Sequence, residues 1–154
     1  MSATTEAAWL LDVNALIALI SPGHLHHDRM HSWFQQHSVE GWATCPITEN
    51  GAVRVLAQPI LAAHRNRAFE VIDILATWKQ SQAKHHRFWS DAVSLTDDSL
   101  FRPEYITNPN SVTDAYLLGL AARHGAKLVS FDRSLPWQAI RSGTARLIET
   151  PLLQ

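Results

Sequence analysis

The chain has 154 residues, of which 46% are apolar and 18% charged, and its 13 Lys and Arg against 14 Asp and Glu give a net charge of −1. This composition excludes a disordered chain and a strongly basic nucleic-acid coat. A single cysteine, Cys45, excludes a disulfide framework and a cysteine-based zinc site. The length predicts one domain over residues 1–154, able to bury roughly 68–70% of its unfolded surface without a staple.

Trp9 to Asp12 (WLLD) is a short apolar run of the kind that forms buried parallel strands. Asn14 to Ile20 (NALIALI) reads as a short buried helix, stopped by Ser21-Pro22-Gly23. A second helix is predicted from about His26 to His37, with Met30, Trp33 and Phe34 on one face. Gly41 to Cys45 reads as the second strand. Pro46 suits the first turn of the next helix, where its fixed φ fits and its missing N–H is not needed. That helix runs to about Leu56, with Ala52, Val53 and Leu56 on its buried face, and Pro59 ends the region. A helix over about Asn66 to Gln82 has Phe69, Ile72, Leu75 and Ala76 as its apolar stripe. His86 to Trp89 (HRFW) is a third strand, and Asp91 to Asn110 is irregular. Ser111 to His124 is a strong helix with Gly125 as its terminating residue. Lys127 to Phe131 (KLVSF) is a fourth strand ending at Asp132, and Ala145 to Ile148 is an edge strand.

No membrane span is predicted. The apolar stretch Trp9 to Ile20 is interrupted by Asp12 and Asn14 and falls short of the roughly 20 residues a span needs. Residues 1–8 carry no Lys or Arg, which argues against a secretory signal, so the cytoplasm is the expected location. Strands separated by helices indicate an α/β sandwich with a mostly parallel sheet of four to five strands. Ligands of such sheets bind beyond the carboxyl ends of the strands.

Asp12 and Asp132 stand at predicted strand ends. Glu49 lies within one turn of Pro46, and Asp114 in the first turn of the Ser111 helix. Strand ends and following helix starts share one face of the sheet, so these four acids are expected to converge. Two like charges about 4 Å apart repel by about 4 kcal/mol at an effective dielectric of ~20. Half-buried carboxylates in such a group need protons or cations, and oxygen-only ligand sets favour Mg²⁺ or Mn²⁺. Such ions bind phosphate oxygens and activate water for in-line displacement. Each acid also has a plainer role open to it. Asp12 can cap the Asn14 helix, Asp114 can pair with Ser111 in a partial capping box, Glu49 can favour a helix N-terminus, and Asp132 can cap a turn. Capping alone does not explain why acids terminate two apolar strands.

Four stretches resemble the motifs of PIN-domain nucleases: Leu11-Asp12-Val13-Asn14-Ala15-Leu16-Ile17, Pro46-Ile47-Thr48-Glu49-Asn50-Gly51, Val112-Thr113-Asp114-Ala115-Tyr116-Leu117-Leu118 and Leu128-Val129-Ser130-Phe131-Asp132-Arg133. Their order and spacing span nearly the whole chain, and the likeness is greatest to the VapC toxins of bacterial toxin–antitoxin pairs. The resemblance implies a PIN-like three-layer α/β/α sandwich and a Mg²⁺- or Mn²⁺-dependent endoribonuclease of the bacterial cytoplasm. It implies that Asp12, Glu49, Asp114 and Asp132 hold the metal and are catalytic, and that Asn14 and Ser130 orient the acids, Ser130 standing where Thr is usual. It also implies a homodimer and a small VapB-like antitoxin partner. Asn108 and Asn110 stand near the third motif, where some PIN nucleases carry further acids, so one ion or two remains open. The chemistry expected is attack of an activated water on an RNA phosphodiester, leaving a 5′-phosphate and a 3′-hydroxyl.

Arg133, beside Asp132, is the basic residue assigned to substrate phosphate, with a surface ion pair as its plainer role. Among nine histidines, His24, His26, His27 and His31 cluster near the second helix. The i, i+4 spacing of His27 and His31 could serve zinc, but a capping or solvated role fits better. Trp33, Trp42 and Trp89 are expected in the core or a dimer contact. Two other readings stand beside the nuclease. One is a haloacid-dehalogenase-like phosphatase, disfavoured by Asn14 where a second acid is required. The other is a degenerate PIN fold that only binds RNA or protein.

Overall fold

The computed structural model describes residues 6–58 and 67–151. In chain order the elements are β1 (Trp9–Leu11), α1 (Val13–Ile20), α2 (His27–His37), β2 (Trp42–Thr44), α3 (Pro46–Leu56), α4 (Ala68–Ser81), β3 (His86–Phe88), α5 (Val112–Arg123), β4 (Lys127–Val129) and β5 (Ile148–Glu149). The strands form one sheet in the order β3-β2-β1-β4-β5, every neighbouring pair parallel. The chain builds outward from β1 to β3 and then returns to the other side of β1. The β1/β4 boundary is therefore the topological switch point, where a parallel sheet opens a crevice at its carboxyl edge.

Alternation along the strands divides the core into two layers. Leu10, Ala43 and Leu128 face a cluster that includes Leu117, Leu118 and Ala121 of α5. Trp9, Leu11, Trp42 and Val129 face the opposite cluster, with Ala15 to Leu19 of α1, Met30, Trp33 and Phe34 of α2, Ala52 of α3 and Leu75 of α4. Burial on both faces is why the strands read as short continuous apolar runs. Trp33, Trp42 and Trp89 are all buried core residues.

Helix ends follow from particular side chains. Gly125, at φ 67°, ends α5 in a Schellman motif: Ala126 N–H donates to Ala121 O at 2.9 Å and Gly125 N–H to Ala122 O at 3.0 Å. The carbonyls of Ala18 and Leu19, left over at the end of α1, accept from His27 Nδ1 at 2.7 Å and His31 Nε2 at 2.9 Å. These two histidines are capping groups, though for the neighbouring helix α1 rather than their own.

The structure corrects several sequence expectations. The buried face of α4 is Val71 and Leu75, with Trp78 packed beside them, whereas Phe69 and Ile72 are about half exposed and Ala76 is exposed. Apolar residues occur on two sides of this helix at helical spacing, and only the side meeting α3 and α1 is covered. On α3 Ala52 is fully buried, while Val53 and Leu56 are only partly so. Ala145–Leu147 is a 3-10 turn, and the edge strand is Ile148–Glu149. The Thr144 hydroxyl accepts from Arg146 N–H at 3.2 Å and so favours the turn over a strand. β4 ends at Val129 and β3 at Phe88. The expectations for Pro59 and Asn66 lie outside the described residues.

One tight approach yields a stability prediction. A Cβ added to Gly119 of α5 would lie 2.2 Å from the ring of fully buried Phe101. Helix propensity favours Gly119→Ala by about 1 kcal/mol, but overpacking a dense core costs about 1–3 kcal/mol, and at this separation the clash dominates. Gly119→Ala is expected to lower the Tm by several degrees; an unchanged or raised Tm in thermal denaturation contradicts this packing.

Candidate active site

The switch point is occupied by Asp12, Asn14, Ser130 and their neighbours. Asp12 directly follows β1 and is the N-cap of α1. One of its oxygens, Oδ1, accepts from Val13 N–H at 2.8 Å; the other, Oδ2, accepts from the Ser130 hydroxyl at 2.8 Å. The same hydroxyl oxygen accepts from Asn14 Nδ2 at 3.2 Å and from Asp132 N–H at 3.1 Å. Asn14 Oδ1 in turn accepts from Phe131 N–H at 3.2 Å. β5 fixes the backbone of this turn, since Ser130 N–H donates to Glu149 O at 2.9 Å. Ser130 therefore joins the ends of β1 and β4 through one buried hydroxyl.

Three of the four acids are electrostatically coupled. Burial raises the Asp12 carboxyl, opposed by its bonds to Ser130 and Val13, and Asp132 raises it further. Asp114, in the first turn of α5, is pushed up to about 6 by burial, then by Asp12 and Asp132. Among the described residues no cation or donor opposes that rise. Asp132 is exposed and also serves its own turn, with Oδ1 accepting from Ser134 N–H at 2.8 Å and Ser134 Oγ at 2.6 Å. The capping roles open to Asp12 and Asp132 are thus real and coexist with this coupling. The one for Asp114 is not realised, because Ser111 makes no side-chain cap bond.

Glu49, in the first turn of α3, belongs to a second network. Its Oε2 accepts from the Thr44 hydroxyl at 2.5 Å and lies 2.9 Å from Lys79 Nζ of α4. Thr44 spends its proton on Glu49, so it accepts from His86 Nε2 at 2.8 Å. Burial, then the charge of Lys79, lowers the His86 imidazole to about 4, so the ring is a neutral donor near pH 7. Among the described residues no three Asp, Glu, His or Cys side chains are drawn together as a ready-made metal cage. Carboxylates without a cation between them repel. The donor set nevertheless suits a hard divalent ion: the three aspartates present oxygen only, at the carboxyl edge of the sheet, and the rise at Asp12 and Asp114 marks a place where positive charge is favoured.

Arg133 is exposed and lines a cleft of about 310 Å³ with Trp137, Ala145, Ile148, Glu149 and Thr150. Lys79 and Thr44 are not singled out by the sequence as site residues. Thr44, at the end of a strand and just before Cys45-Pro46, offered a weak local signal. Lys79 offered none, because only the packing of α4 on α3 brings it to Glu49.

The coupled aspartates give a pH prediction. An acid whose value is raised on folding contributes a penalty that is absent below its unfolded value and fully present above its folded value. The metal-free protein is therefore expected to lose stability as pH rises from about 4 to about 6 through Asp114. Asp114→Asn should remove that part of the pH dependence. Thermal melts in chelator between pH 4 and 8 check this, and identical pH profiles for the two proteins contradict it.

The fold is a parallel α/β/α sandwich with three electrostatically coupled aspartates at the carboxyl edge of its sheet, and comparison with known proteins gives the family. The sequence matches the PIN domain family over residues 9–139. It is 39% identical over 146 residues to ribonuclease VapC44 of Mycobacterium tuberculosis, covering 92% of this chain and 97% of that protein. It is 40% identical over 141 residues to ribonuclease VapC39 of the same organism, covering 91% and 96%. With ribonuclease VapC38 the identity is 43% over 123 residues, covering 80% and 84%. The chain belongs to the PIN-domain family, and its relatives are VapC ribonucleases rather than phosphatases.

Proposed function

We propose that this chain is a divalent-metal-dependent endoribonuclease, the toxin of a VapBC-type pair. The observation that carries the reading is the coupling of Asp12, Asp114 and Asp132 at the carboxyl edge of the sheet, where burial and the other two carboxylates raise Asp114 to about 6. The VapC ribonuclease relatives support the substrate class.

In this reading Asp12, Asp114 and Asp132 would hold Mg²⁺ or Mn²⁺, with Glu49 as the fourth acid of the site. Bound there, the ion supplies Lewis acidity, polarising the scissile phosphate and making water more acidic. Ser130 favours the ionised form of Asp12 and aims it by donating to Oδ2. Asn14 ties that hydroxyl to the backbone after β4. Arg133 positions an RNA phosphate at the rim. The protein acts in the bacterial cytoplasm as a homodimer with a VapB-like antitoxin, and the described residues contain no helix long and apolar enough to cross a membrane.

The test is cleavage of end-labelled RNA by the purified chain. Fragments carrying 5′-phosphate and 3′-hydroxyl ends are expected with Mg²⁺ or Mn²⁺ and none with a chelator. Cleavage that survives chelation, or that Asp12→Asn leaves intact, overturns the assignment.

A further inference from the structure

Lys79 is paired with Glu49 and is held rather than free. Its ammonium lies 2.9 Å from Glu49 Oε2, with 28% of the lysine side chain and 17% of the glutamate exposed. The opposite neighbour is the ring of Phe88, whose centroid is 5.0 Å from Nζ, a cation–π distance. The Thr44 hydroxyl presses on the same Oε2 at 2.5 Å and is itself braced by His86. Side chains from α3, α4, β2 and β3 therefore fix one carboxylate oxygen and one ammonium together. Oε2 is committed to two donors, and only Oε1 is left for another partner.

We propose that Lys79 is a positioning residue that takes the place of a second divalent ion, so that this site binds one ion, at Asp12, Asp114 and Asp132. This rests on the metal-dependent reading above. A two-ion clamp needs ions roughly 3.5–4 Å apart bridged by carboxylates. Glu49 is the acid available for a second ion beyond the three coupled aspartates, and its charge is already neutralised. A dication at Glu49 would also stand beside a fixed ammonium and be repelled. Asn108 and Asn110, near Asp114 in sequence, add no negative charge, and Asn108 Oδ1 is committed to Asn110 N–H at 2.9 Å.

The experiment counts Mn²⁺ ions bound per chain by titration calorimetry and electron paramagnetic resonance. Wild type and Lys79→Arg are expected to bind one ion. Lys79→Met, and Lys79→Gln as a second neutralising variant, are expected to bind two, with the line broadening of a coupled ion pair. Adding Glu49→Gln to either neutral variant should return the count to one. Two ions in wild type, or one in both neutral variants, overturns the proposal while leaving metal dependence intact. No ion bound to folded wild type overturns the metal reading itself. Activity enters none of these counts.

Discussion

Asp114→Asn is expected to lower RNA cleavage by on the order of 10²–10³-fold, the scale seen when one electrostatic stabiliser of a developing charge is removed. The same change should leave the metal-free protein equally stable or more stable above pH 6. Both halves follow from one fact: burial and two neighbouring carboxylates raise the Asp114 carboxyl to about 6. An amide of the same shape removes that repulsion. A residue retained for structure loses stability when replaced, whereas one retained for metal binding loses function and relieves the fold. Cleavage rates and melts on the same preparation separate the two. Full activity in a folded Asp114→Asn protein contradicts the assigned role, and so does a large fall in Tm.

The second large effect is expected at Ser130. Its hydroxyl donates to Asp12 Oδ2 and accepts from Asn14 and from Asp132 N–H, and the residue is fully buried. Ser130→Ala leaves Asp12, only 6% exposed, with Val13 N–H as its remaining donor. Stranding buried polar groups in this way costs about 1–3 kcal/mol. Loss of a partner that orients a metal-holding group typically costs about 10–100-fold in activity or metal affinity. Ser130→Thr keeps the hydroxyl and is the usual residue in the motif that this stretch resembles, so it should recover most of both losses. An alanine variant matching wild type in cleavage and Tm contradicts the role given to this hydroxyl. A threonine variant as impaired as alanine shows instead that the buried site has no room for a methyl group.

What the sequence made legible is what local chemistry decides. Asp12 and Asp132 could be placed at the sheet's carboxyl edge because apolar runs ending in an acid read directly as buried strands, and β1 and β4 are indeed adjacent and parallel. Gly125 announced the end of α5 because its backbone needs positive φ. The motif order also indicated the family. What remained hidden depends on packing between distant elements. The covered face of α4 could not be chosen between Phe69-Ile72 and Val71-Leu75 without knowing where α3 lies. His27 and His31 cap carbonyls of α1, nine and twelve residues back. The ion pair of Glu49 with Lys79 joins two helices. It gives Glu49 a cation partner that no spacing rule anticipates.

The most direct test of the central claim is inducible expression of the wild-type chain and of Asp12→Asn in a bacterial host, with mapping of RNA 5′ ends. Asp12 lies at the switch point and shares the Ser130 hydroxyl with the end of β4, so its carboxylate is the group on which the reading turns. Growth arrest with new discrete 5′-phosphate ends in wild type alone is the predicted result, and the cut sites identify the target RNA. Folded wild-type protein, free of any antitoxin, that produces neither arrest nor new ends contradicts the account and points to a binding scaffold.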